Sequence, residues 1–471
     1  MMRSLIAGFC TLVAALTATA SDLKKPNLIA IVTDDQALWT LGCYGGKELP
    51  TPNLDRLAAE GVRFSNAFVH TPVCSPSRAM YMTGRFGTEL GFTDWLTPEQ
   101  AKTRGVTTAT PTWPSVLAAN GYATALVGKW HLGERNESLP WNNGVMRFTG
   151  NLSGGWNTKK IEFITEKGAK VASDGFSVDL CTDLAMAFMD EHRDAPFALL
   201  VHYREPHADY TPMPELDMQA AKAANIKVPD YPGIRTDHVE KARRNYYASI
   251  AAIDRSVGRL LTHLDEAGLA DNTIVVFTSD HGYNIGEHGI QHKGNAVWIT
   301  EGQNQTRRPN MFDTSLRVPL LMRTPAIAQQ QELRGRIVEE WVTNADMFAT
   351  TLGLLGVAKP ESMPKSTRDF SAALRGEKLP AEKFQHELFG QYDLINAKAE
   401  RHMRMIRTER WKLVLHLNAP QQHELYDLEA DPGERTNMFG RAGTEDATSD
   451  LTAQLRERMT AIRDPRVDEL R

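Results

Sequence analysis

Up to about residue 360, short apolar runs rich in β-branched residues alternate with longer stretches of helical spacing, which predicts an α/β sheet covered on both faces. Asn27-Leu28-Ile29-Ala30-Ile31-Val32 reads as a buried strand that ends at Asp34-Asp35. Thr51 and Pro52 open a helix, with a capping-type residue ahead of a proline. Ala123 to Val127 leads into Gly128-Lys129-Trp130-His131-Leu132-Gly133, Phe197 to His202 into Glu205-Pro206-His207, and Thr273 to Thr278 into Ser279-Asp280-His281-Gly282. Each polar cluster follows a strand. Ligand sites of open α/β sheets form at the carboxyl ends of strands, so these dispersed clusters are expected to converge on one edge.

Beyond about residue 360 the pattern changes to a Lys- and Glu-rich connector (360–383), then short alternating strands over Met403 to Thr408 and Trp411 to Leu417. Glu424 to Leu428, the turn Asp431-Pro432-Gly433-Glu434 and a charged helix from about Thr448 follow. This predicts a catalytic domain over 21–360 and a small α+β subdomain with a short antiparallel sheet over 361–471. The 471 residues, 42% hydrophobic, suffice for one large core and a smaller one.

A net charge of −5 argues against a nucleic-acid partner; an anionic substrate would need positive charge concentrated in its site. At the N-terminus, Arg3, an apolar run from Leu5 to about Ala18, and Ala18-Thr19-Ala20 form a signal peptide over 1–20. The run is shorter than the roughly 20 residues that span a bilayer, and Phe9 before Cys10 does not suit lipid attachment, so no membrane anchor is expected. A periplasmic or secreted location follows.

Asp34, Asp35 and Asp280 are hard oxygen donors suited to Ca²⁺ or Mg²⁺, with His281 beside them; alone, each pair also reads as an ordinary polar turn. Arg78, Lys129, His131, His207 and Lys293 form a cationic set, and glycines flank Lys129-Trp130-His131 and Lys293. Cys74 lies in Val73-Cys74-Ser75-Pro76-Ser77-Arg78, a short proline-stiffened turn with an arginine four residues on, a setting that suits a reactive position; taken alone, the cysteine reads more readily as a half-cystine or an inert core thiol.

The C-x-P-S-R pattern, continued by Met82-Thr83-Gly84-Arg85, resembles the maturation motif of the formylglycine-dependent sulfatases. The motif order from about Pro26 to Thr324 is similar too, and Leu425-Tyr426-Asp427-Leu428 with Asp431-Pro432-Gly433-Glu434 resembles the C-terminal part of bacterial sulfatases. This resemblance implies an alkaline-phosphatase-like fold: a large mixed sheet between helices. It implies that a formylglycine-generating or sulfatase-maturing enzyme converts Cys74 to an aldehyde (3-oxoalanine), whose hydrate is the nucleophile. It places a calcium ion, with magnesium second, on Asp34, Asp35, Asp280, His281 and the residue at 74, although many members carry asparagine where His281 stands. Arg78 and Lys129 would hold the hydrate, His207 with Lys293 would protonate the leaving alcohol, and His131 would accept the second hydroxyl's proton. With Cys74 consumed and Cys10 removed, at most one disulfide, Cys43 to Cys181, remains open.

The expected substrate is a sulfated carbohydrate. Segments 134–160 and 295–308 flank the Lys129 and Lys293 motifs and are expected to form the rim. Trp141, Trp156 and Trp298 are either sugar-stacking residues or packing anchors, and Arg307 or Arg308 is a candidate partner for a uronate or second sulfate. Asn136, Asn151 and Asn304 occupy glycosylation sequons. Two rival readings are a phosphomonoester or phosphonate-ester hydrolase on the same fold, and a non-catalytic carbohydrate-binding protein.

Overall fold

The computed structural model describes residues 25–303, 306–365, 367–377, 386–398 and 400–470; the leader, Cys10 and Asn304 lie outside them. Four parallel strands form the middle of the main sheet: β1 (Asn27–Thr33), β2 (Ala123–Lys129), β3 (Phe197–His202) and β4 (Thr273–Ser279). Their order is β4-β1-β3-β2, with Ile29 opposite Leu199 on one side and Val275 on the other. Leu320–Arg323, Val62–Phe64 and Arg336–Val338 extend the β4 edge, and Arg147–Asn151, Lys159–Thr165 and Lys170–Phe176 extend the β2 edge, giving a mixed sheet of ten strands.

The central strands are apolar throughout because both faces are covered. Successive side chains point to opposite faces, so Leu28, Ala30 and Val32 enter one core while Ile29 and Ile31 enter the other. The second core is closed by α2 (Ser177–Glu191) and α3 (Thr236–Glu266); the first receives α1 (Cys74–Thr83), all of whose residues are buried. In α3, Tyr246, Ile250, Ile253, Val257, Leu260 and Leu264 recur every three or four residues and form one buried stripe.

Three local expectations are corrected. Cys74 opens helix α1 rather than sitting in a turn; Pro76 is tolerated there because first-turn N–H groups have no intrahelical partner. The segment 134–160 is not all loop: Arg147–Asn151 pairs with β2, and its Phe148 is fully buried. Cys43 and Cys181 are both free, so the one disulfide left open is not formed.

Near the C-terminus β5 (Glu387–Leu394), β6 (Arg401–Thr408), β7 (Trp411–His416) and β8 (Glu424–Asp427) form an antiparallel sheet in chain order. One face packs on α4 (Glu445–Ala461) through Ile406, Leu413, Leu455 and Met459, joined by Met80 of α1 and by Phe86. From the other face, Leu388, Tyr392, Met403 and Val414 enter the core of the main sheet. Buried Arg404 is held between Asp393 and Asp464. Among the described residues no helix is long and apolar enough to cross a membrane.

His70 ties the two sheets together. Its Nδ1 lies 2.6 Å from the Phe389 carbonyl, and its own carbonyl accepts from the Gln391 amide at 2.9 Å. Burial pushes its pKa down to about 4. Unfolding restores the ordinary value of roughly 6.5, so between these pH values the unfolded chain binds more protons and stability falls on acidification. Melting temperature is therefore expected to drop as pH goes from 7 to 4.5. His70→Gln should make that decline shallower, by up to about 1.4 kcal/mol per pH unit; a variant whose melts track the wild type at every pH would refute this origin.

Candidate active site

The parallel order of β4, β1, β3 and β2 places their carboxyl ends together, and every polar cluster named from the sequence lies there. Asp34 and Asp35 follow β1, Lys129 ends β2 with His131 just beyond, His207 follows β3, and Asp280 and His281 follow β4. Asp35 (φ 69°) and His131 (φ 55°) adopt left-handed backbone conformations, a cost that the surrounding packing must impose. Gly128 (φ 103°) lets β2 pass β3: a Cβ there would stand 2.1 Å from the His202 carbonyl oxygen.

Cys74 enters from α1, and Lys293 from the turn after a short strand, Ile290–His292. That turn lies tight against the segment before Cys74. The Gly294 amide donates to the Pro72 carbonyl at 3.0 Å, and a Cβ on Gly294 would meet Pro72 at 2.6 Å. Asn310, remote in sequence, donates to the Lys293 carbonyl at 2.9 Å.

All the candidate residues except His207 are buried. Lys293 Nζ lies 3.0 Å from Cys74 Sγ and 2.7 Å from Asp35 Oδ1. Lys129 forms a direct ion pair with Asp34, whose other oxygen is 3.7 Å from Cys74 Sγ. Arg78 Nε donates to Asp280 at 2.9 Å, and its Nη1 is 3.4 Å from His202 Nδ1. His131 Nε2 is 3.0 Å from the Leu96 carbonyl, and a Cβ on Gly154 would meet its ring at 2.7 Å. His207, whose side chain is 28% exposed, marks the open side, with Nε2 3.9 Å from Asp35.

Burial raises every carboxyl here, but for Asp34 the attraction of Lys129, with His207, Arg78 and Lys293, outweighs it and holds the group well below its usual range. Asp35 moves the other way, up to about 7, because burial and the charges of Asp34 and Cys74 exceed the pull of Lys293 and His281. Asp280 is also raised, by burial first and then by Asp34. Burial opposes ionisation of Cys74, yet Lys129 and Lys293 bring its thiol down to about 5.

A divalent cation fits this site. Donor atoms of Asp34, Cys74, Asp280 and His281 lie within 4.8 Å of one another, and His281 Nε2 is buried without a hydrogen-bond partner. Asp35 groups instead with Asp34 and His207. The two carboxylates of the first set are hard donors, while its thiol and imidazole are softer ones.

His202, Arg204 and Glu205 were given no site role from the sequence, although His202 and Glu205 stand in the strand and cluster named there: His202 faces Arg78, buried Arg204 donates to the Asp209 carbonyl at 2.9 Å, and buried Glu205 accepts from Ser177. Their position at the end of β3 was the available signal. Trp141 and Trp156 are packing anchors, against Phe148 and Phe163. Trp298 stands at the rim, 5.8 Å from Arg308, and Arg308 is spent on Glu424 at 2.9 Å.

The family model described as sulfatase matches residues 26–357, and a second, described as N-sulphoglucosamine sulphohydrolase, C-terminal, matches residues 306–463. The chain is 26% identical to an N-acetylglucosamine-6-O-sulfatase of Bacteroides thetaiotaomicron, over 95% of this chain and 88% of that one. It is 27% identical to an ulvan-active sulfatase of Formosa agariphila, over 93% and 82% respectively. A solved structure in complex with its substrate D-glucosamine-2-N,6-O-disulfate aligns with a TM-score of 0.78 at 25% identity, covering 94% of this chain and 99% of that one. Matched by the first model over more than half its length, and sharing the alkaline-phosphatase-like fold, the chain belongs to the sulfatase family.

Proposed function

We propose that this protein is an exported sulfuric ester hydrolase that releases sulfate from a sulfated carbohydrate, using residue 74 as nucleophile after its conversion to formylglycine. The observation that carries the reading is the setting of Cys74: it starts a buried helix, with Lys293 at 3.0 Å, Lys129 and Arg78 nearby, and a cation-binding cluster on one side. Sulfuryl transfer spreads negative charge over oxygen, and fixed cations in a buried pocket are placed to meet it. Family membership favours sulfate over the phosphate-ester reading and over a non-catalytic role. The named activities of the relatives and the sulfated sugar bound in the solved structure support a carbohydrate substrate.

Addition of water to the formylglycine aldehyde gives a hydrate with two hydroxyls on one carbon, one to attack sulfur and one whose deprotonation lets sulfate leave and restores the aldehyde, which neither a serine nor a thiol offers. Asp34, Asp280, His281 and residue 74, with Asp35 alongside, would hold a divalent cation, calcium by this reading, which would supply Lewis-acid polarisation and charge neutralisation. Lys129, anchored by Asp34, and Arg78, anchored by Asp280, position the nucleophile. His131 has Nε2 committed to the Leu96 carbonyl, which leaves Nδ1, buried and without a hydrogen-bond partner, to accept a proton. His207 Nδ1 is 2.6 Å from the Ala208 carbonyl, so Nε2 faces the mouth and protonates the leaving alcohol, assisted by Lys293. Burial depresses its pKa, and an arriving sulfate ester raises it again. Residues 361–471 form a subdomain that walls the catalytic unit of 21–360. The leader over 1–20 supports a periplasmic or secreted location, and maturation requires an aldehyde-forming enzyme.

Mass spectrometry of the tryptic peptide from Phe64 to Arg78 should show the aldehyde in active enzyme; active protein with an intact Cys74 thiol would overturn the mechanism. Lys293→Ala should lower kcat for sulfate release by about 10²-fold and also lower the melting temperature, because buried Asp35 loses its partner, and an aryl phosphate control should be turned over far more slowly than sulfated sugars. Chelation should abolish activity and lower the melting temperature, because the buried carboxylates lose their counter-charge, with calcium restoring both more fully than magnesium. Activity indifferent to chelator would remove the metal from the reading.

A further inference from the structure

We propose that His292 and Arg307 form a recognition subsite for a second anionic group, a carboxylate or sulfate, on the sugar whose sulfate is cleaved. The proposal rests on the sulfatase reading and deepens it.

His292 terminates a chain of hydrogen bonds that starts at His238 and, in the orientation proposed, runs from His238 to His292. His238 Nε2 donates to Gln291 Oε1 at 2.7 Å, which leaves the Gln291 amide nitrogen to donate to Tyr210 Oη at 3.1 Å. Tyr210 Oη lies 2.8 Å from Tyr283 Oη, and Tyr283 Oη lies 2.8 Å from His292 Nδ1; in the proposed orientation each hydroxyl donates towards His292. His292 Nδ1 is therefore an acceptor, and in the neutral ring the proton sits on Nε2. No described residue accepts from that Nε2. Burial, with Lys293 and Arg307 next, pushes the ring's pKa down to about 4, so it remains a neutral donor at working pH. Four side chains are thus committed to keeping a proton on the one nitrogen that has no protein partner.

Arg307 supplies the charge. Val297 pairs with Gln291 on one side and bridges to Arg307 on the other, which aligns Arg307 with the His292 strand. Its Nη1 donates to the Asn295 carbonyl at 2.7 Å, drawing the guanidinium over the turn that begins at Lys293. Among the described residues no carboxylate pairs with Arg307, whereas its neighbour Arg308 is matched by Glu424. His292 directly precedes Lys293, whose Nζ lies 3.0 Å from Cys74 Sγ, which places this strand beside the catalytic pocket. A cleft of about 300 Å³ opens from Trp298 and Arg307 towards Arg401 of β6, leaving room for the rest of the sugar. A neutral N–H donor next to an unmatched guanidinium is a complement for an anionic oxygen pair.

The test compares glucosamine 6-sulfate, glucosamine-2-N,6-O-disulfate and a 6-sulfated hexosamine linked to a uronate. Binding is read by calorimetry on the full calcium-loaded chain with Cys74 left as thiol, and sulfate release is read separately on the matured enzyme. The wild type should prefer at least one doubly charged sugar by about tenfold or more, and Arg307→Gln and His292→Ala should each remove most of that preference, through KM rather than kcat. In Tyr283→Phe, selective ¹⁵N labelling should show the His292 proton redistributed towards Nδ1, together with a partial loss of the preference; a purely structural role would not move that signal. Equal preference in wild type, Arg307→Gln and His292→Ala, all melting alike, would overturn the subsite. An Arg307-dependent binding preference without sulfate release from any of the sugars would support the subsite and bring down the sulfatase reading instead.

Discussion

Three carboxylates, Asp34, Asp35 and Asp280, are buried within reach of one another, and their repulsion sets the terms for everything around them. Water is too scarce there to screen them, so the compensating charge must be built in. The chain provides it from separate elements: Arg78 from a helix, Lys129 from a strand end and Lys293 from a turn. Each cation is neutralised locally while its field extends over the Cys74 sulfur. What would destabilise the fold in isolation becomes, once balanced, the electrostatic environment of a nucleophile.

The sheet meets this demand by topology. Parallel neighbours bring their polar ends to one edge whatever their separation in sequence, so residues from 34 to 281 arrive without long-range pairing of loops. The helix carrying Cys74 is wedged between the main core and the C-terminal sheet through Met80 and Phe86. Among the candidate site residues, solvent exposure is confined to the mouth, where His207 keeps part of its ring exposed.

Much of this was legible in the sequence because apolar runs ending in polar clusters carry both the strand and its site. The central strands and the C-terminal strands appear close to where the pattern put them; Arg401–Thr408 gains two residues over the expected run. The helical start at Cys74 was hidden because Pro76 reads as a breaker unless the first turn is already known. The strand at Arg147–Asn151 was masked by the glycines and asparagines around it, and Trp141 and Trp156 betray nothing of whether they face a sugar or a core. The relay from His238 to His292 has no sequence signature, since its members are ordinary residues that become a chain only when α3 and the His292 strand pack together.

The burial of α1 also imposes an order of events. With every residue of that helix enclosed and the Cys74 thiol 3% exposed, no enzyme can grip the segment in the finished protein. The oxidation of Cys74 proposed above would have to precede closure, while Val73 to Arg78 is still outside a folded helix. The C-terminal sheet is synthesised last, and through Met80 and Phe86 it helps seal the helix in. On that proposal, the interval between emergence of Cys74 and arrival of that sheet would be the window for maturation, and a chain closed before it would stay a well-formed but chemically unfinished protein.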